Sequence, residues 1–513
     1  MLAKERMQSS NQVWSNHQAL RDSNIEPRAS KYAKERWYDA SMDILFVVAE
    51  MAPLVKVGGV GDIGGSLPRA LRRLGQDVRV ALPLYKMIDR GAIGAQRVAS
   101  LPDGAALWTG EHDGLRLYLI EHQAFERDNV YGYDDEAERF LAFCTGVVDS
   151  AGAIDWPPDV IHLNDWLTGF VGTRLVGQRD HPWQDVPQVF TIHNLGYRGD
   201  FLKPFAHEHA LPKDAFKAPR GVSRHVPYSG LAQGLLHARI VSTVSPTYAK
   251  EIVEPEMGGA LAPLMHALGE RVEGILNGID TNEYDPARDP HLAVNYGIGS
   301  LDKRAGNKAV LQQQLGLPAS DAPLIGMVTR LFEQKAPDLA ASAIEKLLPE
   351  AKFQLVVLGT GAPEYEEQLA NLAAAHPDRV AVRLAFDYTL GQRIYAGSDM
   401  FLMPSRYEPC GLGQMIAMRY GAVPVVRRTG GLADSVSPFD AATASGTGFL
   451  FDELTTDALA DALCEAIAAY DDKDSWRALQ QRGMQSDFSW GNAAQQYVEL
   501  YKRASNASAR SAK

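Results

Sequence analysis

Three stretches of this sequence gather residues suited to holding an anion beside a polyhydroxylated group. The first, Met51–Leu71, reads MAPLVKVGGVGDIGGSLPRAL and sets a run of glycines after a single lysine, Lys56. Glycine lets backbone N–H groups approach a ligand closely, and lysine adds a point charge. The stretch lies between an apolar run, MDILFVVAE, and a helical pattern, SLPRALRRLG. It reads as strand, glycine turn and helix N-terminus, an arrangement that favours phosphate. It is neither a Walker loop nor a clean GxGxxG, so a tight structural turn stands beside a phosphate site as a reading of this stretch alone. The second, GMVTRLFEQKAPDL, puts Arg330 at a strand end and Lys335 near the following helix start. Two cations there suit a diphosphate and would neutralise charge as a phosphate departs. A solvated pair at a helix start is the plainer alternative. The third, PSRYEPCGLGQMIAMRYG, runs from Glu408 through Cys410, Gly411, Leu412 and Gly413 into a helical pattern. Its backbone N–H groups can hold phosphate or hydroxyls, and a carboxylate can bind a pair of vicinal hydroxyls. The plainer reading is a helix cap with an exposed glutamate. Cys410 reads as a small buried residue rather than a nucleophile.

Other polar residues fall into the same pattern. DVIHLNDWLTGF offers His162 and Asp165, and FTIHNLGYRG offers His193 and Asn194. His162, inside an apolar strand, reads as a core histidine with its hydrogen bonds satisfied. Asp165 is either a cleft residue or the N-cap of a helix starting at Trp166. His193, at a strand end, reads as an active-site residue. Asp134 and Asp135 read as a helix start, because no His, Cys or carboxylate cluster has metal-ligand spacing. TGGLADSV, beginning at Thr429, is another glycine turn opening a helix and offers further phosphate donors.

These residues need elements that converge. Short runs rich in Val, Ile and Leu, such as DILFVVAE, DVIHLND, LIGMVTR and MFLMPS, alternate with helical patterns such as DLAASAIEKLLPEA along the whole chain. Strands buried on both faces read this way, so the sheets are expected to be parallel with helices on both sides. The fold class is α/β, with two Rossmann-like, doubly wound parallel-sheet domains facing a central cleft. The break falls after NGIDTNEYDPARDP, residues Asn277–Pro290, where turn-formers cluster. The expected division is an N-terminal extension over 1–40, a first domain over 41–284, a second over 285–485, and a final helix with tail over 486–513. Glu50, Asp165, His193 and Asn277 in the first half, and Arg330 and Glu408 in the second, all follow apolar runs. Ligands of open α/β sheets bind at the carboxyl ends of the strands, so these positions should meet in one cleft.

Composition narrows the classes. With 513 residues the chain should hold two or three domains, and 46% hydrophobic with 22% charged residues leaves ample core. No apolar run reaches the roughly 18 residues of a membrane span. The net charge of -12 argues against a nucleic-acid or acidic-membrane binder, so an anionic ligand needs a local basic pocket. Three scattered cysteines make no disulfide framework and fit a reducing, cytoplasmic setting. The first forty residues lack an apolar core like that of a secretory signal and read as a flexible extension or a capping helix.

Taken together, KVGGVGDIGGSLPRAL, HLNDW, TIHNLGY, NGID, TRLFEQKAPDL, PSRYEPCGLGQ and RRTGGLADSV resemble the bacterial glycogen synthase and plant starch synthase family, from about Met42 to about Tyr501. The resemblance implies a GT-B fold and a retaining glucosyltransferase. Its donor would be ADP-glucose, with UDP-glucose the lesser option, and its acceptor the non-reducing 4-hydroxyl of an α-1,4-glucan. Lys56, Gly58 and Gly59 match the family's lysine-glycine-glycine contact with the donor diphosphate. Arg330 and Lys335 match its pair on the leaving diphosphate. Glu408 matches the glutamate on glucose hydroxyls, with Cys410, Gly411 and Leu412 around the sugar and Gly413 and Thr429 on the donor side. His193 matches the histidine beside the transferred sugar. Asp165, Glu50, Asp62, Asn194 and Asn277 match cleft residues. Three positions depart from the family pattern: Asn164 replaces a frequent histidine, Gly413 a frequent threonine, and Phe386 the usual base-stacking tyrosine. The resemblance implies no metal and no pyridoxal phosphate, and the charge and hydropathy already set nucleic acid and membrane aside as partners. Rival readings are another GT-B transferase with a different donor or a small acceptor, a pyridoxal-dependent glucan phosphorylase, and a non-catalytic glucan or nucleotide-sugar binder.

Overall fold

The computed structural model describes residues 41–443 and 445–511; the expected N-terminal extension over 1–40 lies outside the described residues. All thirteen apolar runs of the kind quoted above form strands. In the first half these are β1 (Asp43–Val47), β2 (Asp77–Pro83), β5 (Leu115–Glu121), β6 (Val160–Asn164), β7 (Gln188–Ile192), β8 (Ile240–Thr243) and β9 (Val272–Gly274). Two more strands join them, β3 (Gln96–Ser100) and β4 (Ala106–His112), giving the order β3-β4-β5-β2-β1-β6-β7-β8-β9. In the second half β10 (Leu324–Val328), β11 (Gln354–Leu358), β12 (Val380–Arg383), β13 (Met400–Met403), β14 (Val423–Arg427) and β15 (Phe449–Phe451) pair in the order β12-β11-β10-β13-β14-β15.

The second sheet is parallel throughout. The first is parallel except at one edge, where β3 pairs β4 and β4 pairs β5 antiparallel. That edge corrects the expectation of wholly parallel sheets. Its cause is local: β4 and β5 are joined by Asp113 and Gly114 alone, both with positive φ (48° and 74°), the backbone of a tight two-residue hairpin. β3 is largely exposed and β4 is buried only at its first two residues, so neither shows the continuous apolar run of a strand buried on both faces.

β1 and β10 are the strands at which chain order reverses, and their carboxyl ends are where a ligand crevice forms in such sheets. The core of the second lobe is built from both sheet faces and from helices such as Pro337–Leu347 and Thr456–Asp471. The chain returns to the first lobe at Phe488, whose carbonyl accepts from Ile279 N at 2.8 Å. The helix Trp490–Ser511 then packs against the helix Gly59–Arg73. Beneath it His162 is held by the Tyr501 hydroxyl and Thr191 Oγ1, both at 2.7 Å, and burial lowers its pKa to about 3. His162 is therefore a neutral, satisfied core residue.

Candidate active site

The glycine run after β1 divides into two jobs. A Cβ on Gly64 would lie 2.2 Å from the Glu50 carbonyl oxygen, and one on Gly65 would lie 2.5 Å from that of Ala52. These glycines let the helix Gly59–Arg73 press on the backbone that leaves β1. A Cβ on Gly58 or Gly59 would meet nothing within 4 Å among the described residues. The loop's amides are only partly free, however. Val57 N and Gly58 N donate to Glu50 Oε2 at 2.6 and 2.9 Å, and the Tyr131 hydroxyl donates to Glu50 Oε1 at 2.7 Å. Two N–H groups expected to face the anion thus hold a carboxylate of the chain itself. Lys56 pairs with Asp62 at 2.6 Å at the rim.

A cavity of about 760 Å³ lies between the lobes. From the first lobe its wall takes Glu50, Gly58, Gly59, Asp165, His193, Asn194 and Asn277; from the second it takes Arg330, Lys335, Glu408, Cys410, Gly411 and Leu412. Five expected site residues stand outside that wall. Lys56 and Asp62 are the rim pair. Phe386 is 90% exposed on the loop before the helix Tyr388–Gly397. Gly413 packs against β13, where a Cβ would come 3.2 Å from the Phe401 ring, so the position has little room for a threonine. Thr429 does not face the cavity: its hydroxyl and Gly430 N both donate to Glu251 Oε1 at 3.0 Å, so this glycine turn fastens the lobes together. Ser245 Oγ on the Pro409 carbonyl (2.6 Å) and Thr247 on Asp434 (2.7 Å) belong to the same contact.

Within the cavity, Asp165 follows β6 with φ 57°, a conformation non-glycine residues rarely adopt and one that clusters at functional sites. Its side chain makes no helix cap, and Trp166–Thr168 form only a 3-10 turn, which corrects the N-cap alternative. Instead Oδ1 accepts from His193 N at 2.7 Å and Asn194 N at 3.4 Å, and burial pushes its pKa up to about 7. Asn164 donates from Nδ2 to the Val47 carbonyl at 2.9 Å, so its Oδ1 faces His193 Nε2 at 2.9 Å. That assigns the imidazole proton to Nε2 and leaves Nδ1 as an acceptor. Among the described residues His193 Nδ1 is buried without a partner, as is Asn277 Oδ1, and burial lowers the His193 pKa to about 3. Unpartnered buried polar atoms on a cavity wall are costly unless a ligand meets them.

The second lobe supplies the charge. Lys335 Nζ lies 2.5 Å from Glu408 Oε2, which also accepts from Ser405 Oγ at 2.9 Å. Arg330 is exposed, and among the described residues its guanidinium has no hydrogen-bond or ion-pair partner. The 408–410 loop is fixed by the turn behind it: Cβ atoms on Gly430 and Gly431 would fall 1.9 and 2.0 Å from the Glu408 and Cys410 carbonyl oxygens. Burial raises the Cys410 thiol to about 12, which leaves it no nucleophile.

Sequence reasoning missed Tyr131, Tyr133, Tyr197 and Gln334 in the wall and Glu251 at the lobe contact. Tyr131 and Tyr133 sit in the very stretch weighed for its aspartates; Asp135 pairs with Arg127 instead (2.5 Å). Among the described residues no group of three or more His, Cys, Asp or Glu could hold a metal ion.

Residues 43–267 match the family described as Starch synthase catalytic domain, and residues 311–482 match Glycosyl transferases group 1. The glycogen synthase of Syntrophotalea carbinolica is 44% identical over 482 residues, spanning 90% of this chain and 99% of its own. That of Gloeobacter violaceus is 43% identical over 476 residues, spanning 90% and 98%. Among solved structures, the catalytic domain of starch synthase IV from Arabidopsis thaliana, bound to ADP and acarbose, superposes with a TM-score of 0.82 at 34% identity, covering 91% of this chain and all of that one. Sucrose-phosphate synthase from Thermosynechococcus elongatus, at 20% identity and TM-score 0.59, shares the fold.

Proposed function

The chain belongs to the glycogen synthase and starch synthase family of glycosyltransferases, and on that premise we propose that it transfers glucose from ADP-glucose to the non-reducing 4-hydroxyl of an α-1,4-glucan, with retention and release of ADP. The observation that carries this reading is the unpaired Arg330 guanidinium beside the Lys335–Glu408 pair, in a cavity whose opposite wall is Asp165 and His193. ADP in the starch synthase IV relative supports an adenine nucleotide as donor.

In this reading the diphosphate lies between Arg330 and Lys335 of the second lobe and the start of the helix Gly59–Arg73 of the first. Lys56 joins when it leaves Asp62. Glu408 and the backbone from Cys410 to Leu412 bind the glucose hydroxyls, and His193 Nδ1 and Asn277 Oδ1 gain their missing partners from the sugar. Charge develops on the leaving phosphate and on an oxocarbenium-like ring. The cations stabilise the first, and His193 with its backbone stabilises the second. The acceptor proton passes to the leaving phosphate in a front-face attack or to Asp165, which with a pKa of about 7 is part ionised at neutrality. Side-chain cations supply the positive charge, so the proposed reaction uses no metal and no pyridoxal phosphate. Among the described residues no helix is long and apolar enough to cross a membrane; the proposed setting is the cytoplasm.

The test is glucose incorporation into glycogen from labelled ADP-glucose and UDP-glucose, with and without EDTA. The reading expects glycogen-dependent ADP release, weaker use of UDP-glucose, no EDTA effect, and a product that α-amylase digests. Donor breakdown without incorporation refutes it, and strong EDTA inhibition refutes its metal-free form.

A further inference from the structure

The helix Gly59–Arg73 borders two cavities. Its start lines the reaction cavity, and its last two turns line a separate chamber of about 190 Å³. The two cavities share no lining residue. Ser66, Arg69 and Arg73 follow one another at spacings of three and four, which sets them on one helix face. Opposite them stand Asp280, where the chain leaves the first lobe, and Trp490, where it returns. The proposed reaction makes no use of this chamber. We propose that it is a regulatory site for a small phosphate ester of a polyol, with the phosphate on Arg73 and Arg69 and a hydroxyl on Asp280.

The chain carries a net charge of -12, so an anion needs a place where cations are gathered. Arg73 is exposed, and among the described residues its guanidinium has no hydrogen-bond or ion-pair partner. Its fork is therefore open for bidentate contact with phosphate oxygens. Arg69 is anchored: it pairs with Asp113 at 2.9 Å and reaches the Ala52 carbonyl at 3.5 Å. Its Nε is buried and, among the described residues, has no partner, a cost that a ligand oxygen would remove. Asp280 sets the other end. Its Oδ1 accepts from Asn282 N at 2.9 Å and Glu283 N at 3.4 Å, and among the described residues Oδ2 takes no hydrogen bond. A bare carboxylate oxygen repels a second anion but accepts from a hydroxyl. The chamber thus selects a hydroxylated ester over inorganic phosphate. Its volume lies below the roughly 300–1,000 Å³ of sites for drug-sized ligands, too small for a nucleotide sugar.

The position makes occupancy felt. The two passages of the chain between the lobes run side by side: Ile279 pairs with Ser489, and a Cβ on Gly278 would lie 2.7 Å from Trp490 N. Any closing of the lobes has to be absorbed there. A ligand that bridges the helix and both passages favours the lobe spacing it fits. This kinetic consequence rests on the synthase reading; the binding site does not.

Calorimetry titrates glycerol 3-phosphate, inorganic phosphate and glycerol into Arg330→Ala, which weakens anion binding in the reaction cavity, and into the same protein carrying Arg73→Ala or Asp280→Asn. Glycerol 3-phosphate should bind, inorganic phosphate should bind more weakly, and glycerol should not bind. Arg73→Ala should weaken the ester about ten- to hundredfold, as the loss of a charged hydrogen bond does. Asp280→Asn should tighten inorganic phosphate and narrow the gap between the two. No binding of the ester, or equal affinity with and without Arg73, overturns the site. Inorganic phosphate binding as tightly as the ester overturns the assignment to a polyol. In wild type, saturating glycerol 3-phosphate should change the KM for ADP-glucose about fivefold or more, and Arg73→Ala should abolish the change. An unchanged KM overturns the regulatory role. A change that survives Arg73→Ala marks competition in the reaction cavity and overturns it too. If wild type transfers no glucose, the synthase reading itself has failed, and the calorimetry still decides the site. Truncating Arg73 removes no contact among the described residues, so the variant should fold; a matching thermal melt checks this.

Discussion

Arg330→Ala should separate catalysis from stability. The side chain is exposed and, among the described residues, makes no hydrogen bond or ion pair, so truncation removes no protein contact that holds the fold. Surface changes of this kind move stability by no more than about 0.5 kcal/mol. A donor aimed at developing charge is worth far more: losing one typically costs on the order of 10²–10³ in kcat, about 2.7–4 kcal/mol. Lys335→Ala is the internal contrast. It strips the 2.5 Å partner from Glu408, whose side chain is 6% exposed, and leaves that carboxylate, among the described residues, only Ser405 Oγ. Breaking such a buried pair costs roughly 3–5 kcal/mol of stability. Coupled ADP-release kinetics at saturating donor and glycogen, beside calorimetric melts, give both quantities. The expected result is a large loss of turnover in both variants and a fallen Tm only in Lys335→Ala. Near-wild-type turnover in Arg330→Ala, or a Tm drop in it equal to that of Lys335→Ala, would refute the reasoning.

Other outcomes follow from the same geometry. Asp165, raised from 3.8 to about 7, is protonated in the folded chain and ionised in the unfolded one between those values. Its contribution to stability is therefore full below about pH 4 and is lost as pH rises through about 7, on the order of 4 kcal/mol in all; Asp165→Asn should flatten this fall in Tm between about pH 4 and 7, and an unchanged pH profile would count against the assignment. Buried His162 and His193, lowered to about 3, act oppositely: the unfolded chain takes up their protons below about pH 6.5, so stability falls on acidification from there down. Nitrogen-15 shifts of His193 should report the Nε2–H tautomer set by Asn164, and an Nδ1–H signal would contradict the proposed sugar acceptor. Gly64→Ala should cost roughly 1–3 kcal/mol through overpacking against the Glu50 carbonyl and should also lower activity by moving Glu50; a melt and turnover like wild type would show that the backbone yields there.

The strands of both sheets that are buried on both faces were legible because burial writes itself as continuous Val, Ile and Leu. The antiparallel edge was not, since β3 and β4 face solvent on one side; the Asp113–Gly114 pair was the available signal. Site residues at strand ends, such as Asp165, His193 and Arg330, could be placed because the strand-end rule fixes where they emerge. What the sequence could not show is which partner each group chooses. Glu50 takes two amides of the glycine loop, and Glu251 takes the Thr429 hydroxyl and the Gly430 amide, because contacts across 7–8 and 178–179 positions decide the bonds. Tyr197 also escaped notice, since an exposed aromatic looks like a core aromatic until its surroundings are known.

A crystal structure of the ADP-bound enzyme tests the central claim most directly. The account predicts the β-phosphate within hydrogen-bonding distance of both Arg330 and Lys335, facing Gly59 across the cleft, with Glu408 turned toward the space the glucose would fill. A diphosphate seated elsewhere, with Arg330 and Lys335 directed away from it, would contradict it.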